Sequence, residues 1–157
     1  MTWAEDELTG LDLGDTRLNK RAALLLDRLT KQPMASIQGA CNGWSEAQGA
    51  YRFFANETAC PEAILRPHIQ RTMERMAYHP VVLCIQDTTE LDFNGQDIDG
   101  LGPLSYDAQR GLYLHPTYAV TPEREPLGTL NVQIWARKKQ SERKKTVGSG
   151  PKQCTTR

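Results

Sequence analysis

The run Val81-Val82-Leu83-Cys84-Ile85-Gln86-Asp87 is short, apolar and β-rich, and it reads as a strand buried in a sheet. The segments before it carry helical signals. The segments after it, up to residue 137, read as strand and loop. Helices that all precede the strands do not form alternating βαβ units, so the expected class is α+β with two domains. The boundary is placed near residue 70. This gives a helical domain over 1–70, a β-rich domain over 71–137 and a tail over 138–157.

The helical half has clear punctuation. Leu13-Gly14-Asp15 is a turn followed by an N-cap, because the Asp15 carboxylate can accept from free N–H groups of the first turn. The helix it opens is expected over 16–30, with Pro33 beyond its end. Leu18, Ala22, Leu25 and Leu29 form its apolar stripe. Arg17, Lys20, Arg21, Arg28 and Lys31 share a separate arc of roughly 100°. Such a helix can pack inward on one side and meet phosphates on the other. The plainer reading of the same arc is a solvated face.

Ser45-x-x-Gln48 has the form of a capping box opening a second helix over 46–56. Gly49 inside it weakens the helix unless close packing requires it. Pro61 suits the first position of a third helix running to Tyr78, and Pro67 predicts a kink or broken first turn. Beyond Asp87, Gly95 to Gly111 reads as loop. Leu112–Thr121 and Leu127–Trp135 read as an antiparallel hairpin across Pro122-Glu123-Arg124-Glu125-Pro126.

Charge sets further limits. The formal net charge is zero, but eight of the 19 Lys and Arg lie between Arg137 and Arg157, against the single acid Glu142. The preceding residues are net acidic, so any nucleic-acid contact in the helical domain has to be local. Lys138 to Arg157 lacks apolar periodicity and is expected to be disordered. Its basic run fits non-specific nucleic-acid binding, or a reading frame lost at a junction. The acidic N-terminus does not resemble a signal peptide, and no segment has the roughly 20 apolar residues of a membrane helix. Cys41, Cys60, Cys84 and Cys154 form no C-x-x-C pair, which points away from zinc or a disulfide framework. A cytoplasmic protein with no membrane partner is the expectation.

Asp87, at the end of the first strand, is placed where a rigid carboxylate can hold a divalent metal. An Asp there also commonly caps a turn. One carboxylate is insufficient for a two-metal site. Asp92, Asp97, Asp99 and Asp107 could add ligands or merely serve loop turns. His115, with Tyr113 and Tyr118 nearby, could be a base or a hydrogen-bonded structural residue. There is no Ser–His–Asp order, phosphate loop or glycine fingerprint.

Leu13-Gly14-Asp15-x-Arg17, Glu46-Ala47, Gly49-Ala50-Tyr51-Arg52-Phe53-Phe54-Ala55-Asn56 and Ile85-Gln86-Asp87-Thr88-Thr89 occur in this order. Together they resemble the N-terminal third of DDE transposases of the IS-four, Tn-five-like group, over nearly all of residues 8–137. The resemblance implies a helical domain that binds the inverted-repeat ends of a mobile element in double-stranded DNA. It also implies an RNase-H-like catalytic domain beginning near Val81. By position, Arg17, Arg21, Lys31 and Arg52 match family DNA contacts, and Glu46 matches an acidic residue close to the DNA. Lys20 and Arg28 join them from the helical arc alone. Asp87 matches the first carboxylate of an Asp-Asp-Glu triad that uses Mg²⁺ to hydrolyse a phosphodiester and join the 3′-hydroxyl to target DNA. The second Asp and the Tyr-Arg-Glu signature do not occur in this sequence. The expectation is a truncated, catalytically inactive transposase fragment that binds DNA at most. The alternatives are a repressor that occupies ends or titrates the full-length transposase, and a non-functional pseudogene product.

Overall fold

The computed structural model describes residues 1–106 and 108–138. The expected tail, apart from Lys138, and the loop carboxylate Asp107 lie outside the described residues. Among the described residues five helices precede five strands, and the chain divides into two compact units, Met1–Arg71 and Thr72 onward. Among the described residues no helix is long and apolar enough to cross a membrane.

The first unit is built around α2 (Thr16–Lys31). Asp15 caps it by accepting the Arg17 N–H at 2.7 Å. Ala22 and Leu25 of the apolar stripe are fully buried, and Leu18 packs at the edge of the same core. The facing residues come from the segment 8–13, from Cys41, and from Ala47, Ala50 and Phe53 of α4 (Trp44–Phe54). Two short helices lacked an expectation. In α1 (Trp3–Glu7), Thr2 and Glu5 form a reciprocal capping box; α3 (Ile37–Ala40) is capped by Ser36. The capping box expected at Ser45 is not formed. Helix α4 starts at Trp44, with Gly43 at the cap making no side-chain cap bond. Ser45 is therefore already inside the first turn. Its place is taken by Glu46, which accepts the Asn42 N–H at 3.0 Å.

Helix α5 (Pro61–Met76) runs through Pro67, which is buried. Its N-terminal part joins the first unit. Ala63 and Ile64 pack on the core, and His68 Nδ1 lies 2.5 Å from the Glu7 carboxylate, which is almost completely buried. A carboxylate so enclosed needs such a partner, because burying it unpaired is costly.

The second unit is an antiparallel sheet centred on β4 (Arg110–Val120). On one side β4 pairs with β5 (Pro126–Trp135), through the hairpin predicted over Pro122–Pro126. On the other side lie β1 (Leu83–Gln86) and β2 (Thr89–Asp92), both antiparallel to β4. A two-residue strand, β3 (Gly102–Pro103), pairs at the start of β4. Gly111 there is squeezed between neighbours, since a Cβ would overlap the Leu91 carbonyl.

Strands β1 and β2 keep one register. Gln86 faces Thr117 and Thr89 faces Leu114, so Asp87 and Thr88 fall opposite Pro116 and His115. Thr88 Oγ1 lies 2.8 Å from His115 Nδ1, which agrees with that register. The ladder lapses at 87 and 88, opposite Pro116, which has no N–H to give a partner strand. The gap divides the ten residues 83–92 into two strands that share one register.

Alternation sorts the sheet into two faces. Gln86, Thr88, Glu90, Tyr113, His115 and Thr117 share a polar face, where Gln86 donates to Thr117 at 3.2 Å and Ser105 N–H to Glu90 at 2.9 Å. Leu83, Ile85 and Tyr118 share the other face with Asp87. The expectation of a buried first strand is corrected: Leu83 and Ile85 are about half exposed, at 47% and 53%.

Replacing Pro116 with Val is expected to restore the missing ladder bond and merge β1 with β2. Hydrogen exchange tests this: the new amide at 116 should be as protected as that of Tyr118. A freely exchanging amide at 116 would place the cause of the break elsewhere.

Candidate nucleic-acid interface

The five cations of the α2 arc do not form one uniform face. Leu24 falls among them on the helix surface and is half-buried, beside a groove between α1 and α2 that Lys20, Leu8 and Leu11 also line. Lys20 belongs to the α1 side of this divide. Arg21 and Arg28 turn towards α4.

Four of the sequence-predicted residues are engaged with each other or with nearby acids. Arg28 grips Glu46 through a two-pronged contact, Nε to Oε1 at 2.8 Å and Nη2 to Oε2 at 3.2 Å. Both side chains are mostly buried, and the pair bridges α2 and α4. The Arg28 hydrogen bonds, helped by the Asn42 N–H, hold the Glu46 carboxyl below its usual pKa, and the same contact raises that of Arg28. Lys31 pairs with Asp27 one turn back at 2.8 Å. Arg17 pairs at 3.2 Å with Asp15, whose pKa is lowered first by the Arg17 backbone N–H and then by its side chain. That pair is open to solvent and holds Arg17 only weakly, since the Arg17 side chain is 91% exposed.

Lys20, Arg21 and Arg52 have no ion pair among the described residues. Arg52 is exposed on α4 and reaches Gln48 Oε1 at 3.3 Å. Arg21 is half-buried, and its guanidinium lies against the α4 backbone at Gly49, where a Cβ would sit 2.8 Å from Cζ. Gly49 and Arg52 are neighbours on one helix surface, three residues apart. Arg21 thus lies at the α2–α4 junction, beside a glutamate already neutralised by Arg28, and Arg52 stands on the same helix α4 one turn beyond Gly49.

In the sheet unit, Asp87 is exposed and accepts the Thr88 N–H at 2.8 Å. Asp92 serves turn and loop contacts, accepting from Asn94 N–H and the Gln109 amide. His115 is on the opposite face from Asp87, tilted against Trp135 and bonded to Thr88. Among the described residues no group of three His, Cys, Asp or Glu side chains is arranged to hold a metal ion. The described residues around Asp87 do not make up a Mg²⁺ site, and no catalytic step follows from them.

Two residues of this region escaped sequence reasoning. Leu24 was legible from the same 100° arithmetic that gathered the cations. Pro116 carried a signal as well, since a proline inside a strand pattern forfeits one ladder bond.

Residues 1–59 match the family model described as transposase DNA-binding. The matched segment contains α1 to α4, and so the whole α2–α4 junction. It supports an N-terminal transposase part in this chain.

The Arg28–Glu46 tie has a defined pH signature. Because the Glu46 pKa is lowered on folding, its contribution is present above the ordinary glutamate range and is lost as pH falls through the lowered value. The stability gap between the native chain and Glu46→Gln, read by urea unfolding, should therefore be widest near neutrality and close in acid. A gap that is constant with pH would contradict an ionic tie.

Proposed function

We propose that the helical unit binds double-stranded DNA, with Arg21 and Arg52 at the α2–α4 junction as the principal phosphate-facing cations. One observation carries this reading. Inside the segment that matches the transposase DNA-binding model, these two arginines adjoin one helix surface and are free of any carboxylate partner among the described residues. Arginine in that setting suits phosphate, because its planar fork makes paired hydrogen bonds. The weakly held Arg17 extends the surface along α2, and Lys20 and the Asp27-paired Lys31 add charge across the Leu24 divide. Arg28 and Glu46 act as its frame: Arg28 cancels the charge that Glu46 would otherwise turn against phosphate.

The finer reading is that the DNA consists of the inverted-repeat ends of a mobile element, with a protein of the IS-four, Tn-five-like group as its reader. In that reading the sheet unit is an RNase-H-like element and Asp87 is its first catalytic carboxylate, a Mg²⁺ ligand once further carboxylates join it. The residues in hand support occupation of DNA. The same surface would serve a repressor that blocks ends or draws full-length transposase into inactive complexes.

The salt dependence of binding to a mixed-sequence duplex tests the surface. Arg21→Ala and Arg52→Ala should each reduce the slope of log K against log salt by about 1. Arg110→Ala, whose guanidinium is bound to the Leu101 carbonyl in the sheet unit, should leave the slope unchanged. Unaltered slopes in both junction variants would overturn the proposal.

A further inference from the structure

We infer that Gly49 is the positioning residue for Arg21: by lacking a side chain, it holds the Arg21 guanidinium flat against α4 with its N–H edges open to a phosphate. This deepens, and rests on, the DNA-binding reading above.

The geometry comes from three distances. A Cβ at position 49 would lie 2.8 Å from Arg21 Cζ, 2.9 Å from Nη1 and 3.0 Å from Nη2. Real carbon atoms do not approach so closely, so any side chain at 49 must displace the guanidinium. The central carbon is nearest, with the two terminal nitrogens almost equidistant. Position 49 therefore lies against the flat face of the group and not against an edge. Arginine donates in its plane, so a face-on seat consumes none of its five donors.

The surroundings keep those donors uncommitted. Glu46, one turn before Gly49, is the nearest natural partner, yet Arg28 occupies both of its oxygens. Glu46 acts on Arg21 only through its field. A half-buried guanidinium packed on a helix backbone, with no ion pair among the described residues, loses less freedom on meeting an anion than a free surface arginine does. Nothing in the conformation of α4 calls for glycine here, because Gly49 is inside a regular helix where alanine is preferred. The three heavy atoms nearest a Cβ at this position all belong to Arg21.

The test uses the full 157-residue chain. Gly49→Ala, Arg21→Ala and the double variant are compared by thermal melting and by binding to a mixed-sequence duplex of about 20 base pairs across a salt series. With Arg21 absent, Gly49→Ala should raise Tm through better helix propensity. With Arg21 present, the gain should be smaller or reversed. Equal Tm shifts in both backgrounds overturn the seat, as does failure of Gly49→Ala to fold in both. Folding rescued by Arg21→Ala supports it. In binding, Gly49→Ala should reduce the salt slope by about 1, as Arg21→Ala does, and the double variant should fall no further. If Arg21→Ala reduces the slope and Gly49→Ala does not, the positioning role is overturned while the DNA reading stands. If melting shows the coupling but Arg21→Ala leaves the slope intact, the contact is real but Arg21 is no DNA ligand and the positioning role is overturned; the DNA reading falls with it only if Arg52→Ala also leaves the slope intact.

Discussion

Above the apolar core that α2 and α4 share, a two-pronged contact from Arg28 to Glu46 ties the two helices and sets the charge of the surface around it. Helix α4 lacks a side-chain cap of its own, so Glu46 has two tasks: it satisfies the Asn42 N–H at the start of the helix and anchors α4 to α2. An arginine suits this position better than a lysine, because only a planar fork meets both carboxylate oxygens while the side chain stays mostly buried. Once Arg28 has neutralised Glu46, a second arginine can lie in the same junction without being captured. Arg21 does so, on the bare backbone of Gly49. The positive charge offered to a ligand is thus set by a competition that Arg28 wins for the glutamate.

The sheet unit is organised by a different constraint. Among the described residues β4 is the strand that pairs on both sides along its length, and its sequence includes a proline at 116. Opposite it the neighbouring strand is unpaired at Asp87 and Thr88, and Thr88 meets His115 by side chain. Asp87 and His115, adjacent in sequence reasoning as candidate chemical groups, are on opposite faces. Strand alternation separates them, and no local rotation can reunite them. The apolar face that Asp87 shares with Leu83, Ile85 and Tyr118 remains open among the described residues.

Much of this was legible from residue patterns. The Asp15 cap and the 3.6-residue stripe of Leu18, Ala22 and Leu25 located α2. The β-branched run after Pro80 and the Pro122–Pro126 turn located β1, β4 and β5, while β2 was not foreseen and β3 falls within the expected loop over Gly95–Gly111. The failures have physical causes. Thr2-x-x-Glu5 is a better capping box than Ser45-x-x-Gln48, but it opens a helix of only five residues, too short for periodicity to show. At Ser45, the choice between two adjacent helix starts was decided by Glu46 and its partner across the junction, a tertiary contact invisible to a local motif. The basic arc of α2 was correctly computed as an arc, yet angle alone cannot tell a cation that meets solvent from one that meets a carboxylate. That distinction separates Arg21 from Arg28 although both belong to the same arc.

The central claim is that DNA meets the arginines left open at the junction and not those that build it. The most direct measurement is an NMR titration of the ¹⁵N-labelled chain with duplex DNA, following the arginine Nε–H resonances. The Arg21 and Arg52 signals should shift as DNA is added, while the Arg28 signal, locked on Glu46, stays in place. Shifts at Arg28 with Arg21 and Arg52 unmoved, or shifts confined to the sheet unit, would contradict the account.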